Sequence, residues 1–391
     1  MSMRAAISPA SPVAEAKAAQ PSMATPSSAK RADKPAARED PGLTERLRLE
    51  VERAVQRGLK GIELLGAQPP AVGRTPKTVL HRRGTLELVH YRTQADEVYR
   101  VPLLIVMAPT NKAYILDLAP GQSLVEFLLQ RGYDVYLIDW NAPTDDERDL
   151  KIDDYVLDFI PDCIRRVQRD SGETDVTLVG YCAGGMLSAI YMALHEHGPV
   201  KNLVCFTTPI DFSRMELFRR MADPKTFDVD KFVDSVGIVP AETVVAGFDA
   251  LRPASRLAGR IRLWDNLWND QFVKGFRMME RWGNETLPLP GGYFRQTTKE
   301  LLQQNRLYEG TLKIGGRLVD LGRITVPMLH VAAQYDHIVP PACSAPLMQR
   351  VGSRDKEEVT LPGGHVSLAA GPNAVKRMWP KLDSWLQERS T

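Results

Sequence analysis

Residues 180–185 read Gly-Tyr-Cys-Ala-Gly-Gly, and the central Cys182 is a candidate nucleophile. The preceding residues 176–179 are apolar and β-branched, which is typical of a strand buried on both faces. The following residues 186–194 are an apolar run of good helix formers. A strand, a sharp turn between glycines and a helix place one side chain at the top of the turn. A helix N-terminus and a nearby histidine both lower the pKa of a thiol from its ordinary value of about 8.5.

Cysteine at this position indicates acyl transfer from a thioester. A thiolate that attacks a thioester forms another thioester, so the acyl group keeps its activation and passes downhill to an alcohol. A serine would form an ordinary ester at once. The alternative interpretation is a buried cysteine that fills space after a strand, and a motif this short does not distinguish the two.

The composition is that of an ordinary globular protein. The 391 residues are 43% hydrophobic and 25% charged, with a net charge of +2, which argues against a nucleic-acid partner. The four cysteines (Cys163, Cys182, Cys205 and Cys343) are scattered, without the spacing of a zinc site or a disulfide framework. Scattered cysteines of this kind fit a protein of a reducing compartment. No apolar run reaches the roughly 18 residues of a membrane span.

The N-terminal region is predicted to lie outside the catalytic body. Residues 1–41 are rich in Ala, Pro, Ser and Lys, which predicts a disordered tail, and they contain no hydrophobic signal segment. Residues 44–65 have apolar side chains at helical spacing, which predicts an amphipathic helix. We expect this helix to dock on the protein's own core, with docking on a partner as the alternative.

Strand and helix patterns alternate without a break between residues 101 and 208. This order predicts a parallel sheet with right-handed crossovers. Together with the glycine-flanked turn, it predicts an α/β-hydrolase fold with a mostly parallel central sheet flanked by helices. Residues 42–208 are therefore the first part of the core.

The alternation of strand and helix patterns stops at residue 209, where a helical, aromatic-rich stretch begins. We interpret residues 209–322 as a cap, or lid, inserted between two core strands. Strand patterns return at 326–332 and 359–361, and a helix follows at 374–387. Residues 323–391 are therefore the second part of the core.

Three residues follow the chain order nucleophile, acid, base of the α/β-hydrolase triad. Cys182 follows one strand, Asp336 lies in the loop after a later strand, and His365 lies in the glycine-rich loop after the last strand. We expect His365 to take the proton from Cys182 and Asp336 to orient the imidazole. His337 is expected to support this loop by hydrogen bonding. The backbone amides of Ala183 and of a residue near Asn111 are the expected oxyanion donors.

The chain resembles the polyhydroxyalkanoate synthases over residues 75–385. The resemblance rests on these segments, taken in order: NKAYILDL (111–118), DVYLIDW (134–140), GYCAGG (180–185), WND (268–270), NRL (305–307), VDL (319–321), DHIVP (336–340) and GHV (364–366). The family's nucleophile, acid and base correspond to Cys182, Asp336 and His365. Departures include Lys112 where Arg is common, Asn141 where Gly is common, and Ser367 where Gly is common.

The resemblance implies an acyltransferase that polymerises (R)-3-hydroxyacyl-CoA, with 3-hydroxybutyryl-CoA as the expected substrate, and releases CoA. The short body is similar to the catalytic subunit of the two-subunit, class III type. This implies a homodimer through the cap, a second, non-catalytic subunit, and a cytoplasmic location at the surface of polyester granules. No metal ion or redox cofactor is expected, since the CoA thioester is itself the substrate.

Two other functions remain as alternatives. A thioesterase or hydrolase with the same Cys-His-Asp triad would pass the acyl group to water. A granule-coat protein that kept the fold would need none of the three groups, so an intact triad argues against it.

Overall fold

The computed structural model describes residues 42–391, and the tail predicted for 1–41 lies outside them. The chain divides into two units, residues 1–52 and 53–391, and all the candidate site residues lie in the second. The first half of the core contains six strands and five α-helices. In chain order they are α1 (Leu43–Gly66), β1 (Lys77–Arg83), β2 (Leu86–Tyr91), β3 (Leu103–Val106), α2 (Leu124–Leu129), β4 (Val135–Trp140), α3 (Ile152–Asp154), α4 (Ile160–Ser171), β5 (Val176–Tyr181), α5 (Ala183–Leu194) and β6 (Val200–Phe206).

Local sequence explains where several of these helices start and stop. The Ser123 side chain accepts a hydrogen bond from the Glu126 N–H and so caps α2. A π-helical turn, Tyr155–Phe159, joins α3 to α4. Gly172 ends α4 in the left-handed conformation, with φ 78°, which glycine adopts without strain.

The cap is helical, as predicted, with two small antiparallel ribbons. Its elements are α6 (Glu216–Met221), α7 (Val229–Val236), β7 (Ile238–Val239), α8 (Ala241–Leu251), α9 (Ser255–Asp265), α10 (Asp270–Asn284), β8 (Leu289–Pro290), α11 (Gly291–Gln296), α12 (Arg306–Glu309), β9 (Lys313–Ile314) and β10 (Arg317–Leu318). The second half of the core adds β11 (Met328–Ala333), α13 (Pro341–Ser344), α14 (Pro346–Arg350), β12 (Lys356–Leu361) and α15 (Trp379–Gln387).

The central sheet has eight strands in the order β1-β2-β4-β3-β5-β6-β11-β12. Strands β3, β4, β5, β6, β11 and β12 pair in parallel, and β1 and β2 are antiparallel. Strand β5 lies near the middle of the sheet and is buried along its whole length. The carboxyl ends of β5, β11 and β12 therefore meet at one edge, where a parallel sheet places its ligands.

The two ends of the cap meet. Asn305, near the end of the cap, donates from Nδ2 to Asp211 Oδ1 at 2.8 Å and accepts from the Phe212 N–H at 2.9 Å. The backbone N–H groups of Ile210 and Asp211 both donate to the Cys343 carbonyl. Residues far apart in the chain thus join the cap to α13, the short helix that follows β11.

Helix α1 corrects one expectation. Its apolar side chains do not dock on the core, since Val55, Leu59 and Ile62 are 58%, 65% and 72% exposed. Two cationic side chains of α1 instead contact the cap. Lys60 pairs with Asp270 at 2.8 Å, and the Arg53 guanidinium lies over the Trp268 ring.

Candidate active site

Cys182 occupies the turn between β5 and α5, with φ 56° and ψ −123°. A positive φ is strained for a residue that carries a Cβ. Backbone hydrogen bonds hold the turn: Cys182 N–H donates to the Phe206 carbonyl at 2.9 Å, and the Cys182 carbonyl accepts from Gly185 N–H at 3.0 Å. Gly184 must be glycine, because a Cβ there would collide with the Val106 carbonyl. The turn predicted from the motif is therefore present.

Asp336 and His365 lie on the loops that follow β11 and β12. His365 Nδ1 is 2.6 Å from Asp336 Oδ2, and both residues are buried. The other carboxylate oxygen, Oδ1, accepts from the backbone N–H groups of Ile338 and Val339, each at 2.9 Å. Both oxygens of the Asp336 carboxylate are hydrogen-bonded, so the carboxylate fixes the orientation of the His365 imidazole. The other ring nitrogen of His365, Nε2, remains for another partner.

Cys182 lies close to the same imidazole. It lines one cavity with His365 and acts on it both through charge and as a side-chain hydrogen-bond partner. Burial alone would lower the pKa of His365. The Cys182 sulfur and the Asp336 carboxylate outweigh this and raise the pKa to about 10. The arrangement therefore favours the charged form of His365, and the structure brings the three predicted residues together.

The other three cysteines are unsuited to this chemistry. Cys163, Cys205 and Cys343 are free and buried, whereas Cys182 is half-buried. Burial raises the pKa of all three, to about 12 for Cys205 and for Cys343. A raised pKa leaves less of a thiol as the nucleophilic thiolate, so burial disfavours these three cysteines as the nucleophile.

The cavity above Cys182 has a volume of about 410 Å³. The core contributes Ala108, Asn111 and Tyr181 to its wall, and the cap contributes polar side chains together with large apolar ones. These cap residues include Val245, Phe248, Phe276, Met279 and Trp282. The size and the apolar wall suit an acyl chain with its thioester at Cys182.

The two candidate oxyanion donors, the backbone N–H of Ala183 and a donor near Asn111, lie on different elements. Ala183 is the first residue of α5, where a backbone N–H has no acceptor within its helix. Asn111 lies in the loop after β3, lines the cavity, and donates from Nδ2 to Thr286 Oγ1 at 3.1 Å. The Thr110 carbonyl also accepts from the Leu287 N–H at 2.8 Å, so this loop is tied to the cap.

His337 adjoins the triad without a matching hydrogen bond. Within residues 42–391, its buried Nδ1 has no hydrogen-bond partner. Burial, and to a lesser extent the positive charges of Arg252 and His365, lower its pKa. The backbone amides bound to Asp336 hold the loop, so the expected support from His337 stays a prediction.

Comparison with known proteins places the chain in a family. Residues 116–372 match the family described as alpha/beta hydrolase fold, and residues 69–128 match the N-terminus of poly-beta-hydroxybutyrate polymerase (PhaC). The poly(3-hydroxyalkanoate) polymerase subunit PhaC of Allochromatium vinosum is 36% identical over 345 residues, which cover 87% of this chain and 96% of that protein. The chain belongs to the PhaC family of poly(3-hydroxyalkanoate) polymerases.

Other members of the PhaC family differ in length. The Synechocystis subunit is 32% identical, with 85% of this chain and 89% of that protein aligned. The Haloferax mediterranei subunit is 35% identical over 82% of this chain, but the match spans only 65% of its own length. The similarity to these PhaC proteins confirms the predicted family and the predicted enzyme class, an acyltransferase.

A solved structure agrees on the fold. A soluble variant of the monoglyceride lipase from Saccharomyces cerevisiae, in complex with a substrate analog, superposes with a TM-score of 0.51. The match covers 83% of this chain and 97% of the lipase at 15% identity, which supports the α/β-hydrolase fold and nothing finer.

Two of the three residues that depart from the resemblance, Lys112 and Asn141, contact each other. Lys112 Nζ donates to Asn141 Oδ1 at 3.0 Å and to the Trp140 carbonyl at 2.7 Å. The third departure, Ser367, donates from Oγ to the Gly364 carbonyl at 2.7 Å, next to His365. These substitutions are thus accommodated by local hydrogen bonds beside the site.

Sequence reasoning assigned no role to Tyr181, which holds the catalytic histidine candidate. Its hydroxyl donates to the His365 carbonyl at 2.8 Å, and the two rings pack edge to face. Its place beside Cys182 in the motif was an available signal. Thr286 was also missed, and no local pattern relates it to Asn111, which is 175 residues away.

Among residues 42–391, no group of three or more His, Cys, Asp and Glu side chains is arranged to hold a metal ion. Within the same range, no helix has the length and hydropathy needed to span a membrane.

Proposed function

We propose that this chain polymerises (R)-3-hydroxyacyl-CoA, with 3-hydroxybutyryl-CoA as the expected monomer, into polyhydroxyalkanoate with release of CoA. The observation that carries the proposal is the buried 2.6 Å hydrogen bond between Asp336 and His365, beside a strained, half-buried Cys182. Membership of the PhaC family supports the acyl-CoA class of substrate.

In the first half of the reaction, His365 takes the proton from Cys182, and the thiolate attacks the thioester carbonyl carbon. The backbone N–H of Ala183 and a second donor near Asn111 bind the oxyanion, and each such donor is worth about a hundred- to a thousandfold in rate. The bond to the CoA sulfur breaks, and CoA leaves with the proton from His365. The acyl group is then held on Cys182 as a thioester.

In the second half, the hydroxyl of another 3-hydroxyacyl group or chain end attacks the acyl-enzyme. His365 accepts the hydroxyl proton and returns it to the Cys182 sulfur as the ester forms. Asp336 holds the imidazole in the orientation that both transfers need. The protein side chains supply every step, so we propose that no metal or redox cofactor takes part.

The deciding experiment measures CoA release from (R)-3-hydroxybutyryl-CoA by the purified chain, with the size of the product. We expect high-mass polyester, and a Cys182→Ala variant with at least about a thousandfold slower CoA release. Cys163→Ala is the matched control and should release CoA at the normal rate. Soluble 3-hydroxybutyrate as the sole product would instead support the thioesterase, and polymer formation by Cys182→Ala would contradict the proposal.

We extend the proposal to partners. Helix α9 exposes Leu257, Ile261 and Trp264, which are 65%, 55% and 55% accessible, and such an apolar cap surface supports dimerisation through the cap. A second, non-catalytic subunit and the surface of a cytoplasmic polyester granule are further expected partners. Light scattering of the purified chain tests the dimer: a mass near 87 kDa, twice the chain's 43.6 kDa, is expected.

A further inference from the structure

Helix α9 presents two arginines to the cavity that contains Cys182. Arg256 and Arg260 are four residues apart, so they lie on one face of the helix, and both line the cavity. They are exposed to solvent, whereas His365 at the same cavity is only 5% exposed. The cavity therefore has the nucleophile at its buried end and guanidinium groups at its solvent end.

The two arginines differ in how their charges are balanced. Arg256 pairs with Asp249 at 2.7 Å, and Asp249 also lines the cavity. Arg260 has no ion-pair partner within the described part of the chain, although the carboxylate of Glu280 lines the same cavity. An exposed guanidinium at a cavity mouth, without a carboxylate bound to it, is available to an anionic ligand.

We propose that Arg260 binds a phosphate group of the acyl-CoA substrate, with Arg256 as a second donor once it leaves Asp249. This inference rests on the proposed function. CoA joins a thioester, through a long uncharged arm, to a nucleotide that carries a diphosphate and a 3′-phosphate. The cavity offers the same order: a thiol, an apolar wall, and then arginines. Guanidinium groups bind phosphate through paired, charge-assisted hydrogen bonds.

The test compares two substrates in Arg260→Gln: 3-hydroxybutyryl-CoA, and the 3-hydroxybutyryl thioester of N-acetylcysteamine, which keeps the reacting end but has no phosphate. We expect the KM for the CoA substrate to rise about tenfold, the effect of losing one charge-assisted contact. The kcat for that substrate should change less than twofold. The kinetic constants for the phosphate-free thioester should not change. Arg262→Gln, on the same helix but outside the cavity lining, is the matched control.

Two further measurements test the role of Arg256 and identify which phosphate is bound. Asp249→Asn should free Arg256 and lower the KM for the CoA substrate two- to threefold. With the thioester of dephospho-CoA, a KM that no longer responds to Arg260→Gln assigns the contact to the 3′-phosphate, and one that still rises assigns it to the diphosphate.

Two results would overturn the inference. One is an Arg260→Gln protein with an unchanged KM for the CoA substrate, and the other is an equal loss with both substrates. A wild-type protein that releases no CoA in the first place would instead contradict the proposed function, so the two failures are distinguishable.

Discussion

At the scale of single residues, the site depends on one imidazole between a sulfur and a carboxylate. Burial opposes the charged form of His365, yet its pKa is raised, because the Cys182 sulfur and the Asp336 carboxylate both stabilise the imidazolium. Both partners therefore stabilise His365 in the state in which it has accepted the proton from Cys182.

Replacing Asp336 with Asn tests this arrangement. The variant loses the negative charge beside Nδ1 and the acceptor that fixes the imidazole orientation, so we expect CoA release to fall by about a hundred- to ten-thousandfold. The pKa of His365 should fall toward its ordinary range of about 6.5. CoA release and NMR titration of the His365 ring measure the two effects.

Asp355→Asn is the control for this variant, since it removes an exposed carboxylate that pairs with Arg389. It should leave both the rate and the titration unchanged. A His365 titration that is the same in Asp336→Asn and in the wild type would show that the carboxylate does not stabilise the imidazolium.

At the scale of elements, the site depends on how closely α5 crosses the sheet. Gly184 lies against the carbonyl oxygen of Val106 in β3, and Gly180 lies against Gly185. The first turn of α5 therefore approaches the strands as far as backbone atoms allow. This contact fixes the height of Cys182 above the edge of the sheet.

Gly184→Ala should separate the helix from the sheet. The new Cβ meets backbone atoms, which cannot rotate away, so we expect a loss of about 2–4 kcal/mol in the free energy of unfolding and a large loss of CoA release. Urea denaturation measures the first effect. Gly275→Ala in α10 is the control, because a Cβ there meets nothing within 4 Å.

The control should be neutral or gain up to about 1 kcal/mol, as alanine is the better helix former. Equal stability of the two alanine variants would contradict the close approach of α5 and β3.

Most elements of the core could be predicted from the sequence. The apolar runs that became β3, β5, β6 and β11 are short and flanked by turn residues, and these two features distinguish them from helices. The amphipathic pattern of residues 44–65 predicted that α1 is a helix, but not whether its apolar face is buried. An apolar stripe looks the same in a sequence whether it packs on a core or remains exposed, as Leu59 and Ile62 do.

The candidate triad could also be predicted, because each member belongs to a local motif in a known chain order. The contacts that support the triad could not. Tyr181 reaches the His365 carbonyl across 184 residues, and Asn111 reaches Thr286 across 175. The first pair depends on how distant strands assemble in the sheet and the second on how the cap folds over the core, and no local periodicity encodes either.

At the scale of the whole molecule, one of the junctions between the cap and the core lies at α13. Asp211 and Asn305 are 94 residues apart and hydrogen-bonded, and the segment beside them is bonded to the Cys343 carbonyl after β11. Asp336 lies in the loop between β11 and α13, the helix that contains Cys343. The position of the cap is thus linked to the part of the core that orients His365.

Asn305→Ala should weaken this junction. The variant loses two buried hydrogen bonds and places alanine at φ 51°, where asparagine is better tolerated. We expect a loss of about 2–4 kcal/mol in the free energy of unfolding and a higher KM. Urea denaturation and kinetics of CoA release measure these changes.

Asn305→Gly separates the two causes, because glycine accepts the positive φ but makes neither side-chain hydrogen bond. Its loss should be about 1 kcal/mol smaller than that of alanine. Wild-type stability in both variants would show that the two ends of the cap are held elsewhere.

The positive φ of Cys182 has a consequence for directed evolution. A non-glycine residue in such a conformation costs on the order of 1–3 kcal/mol, and glycine would relieve it. A library selected only for heat resistance would therefore favour loss of the thiol. Heat-resistant variants of this protein must be selected with turnover as a second criterion, because at this position survival on heating and catalysis favour different residues.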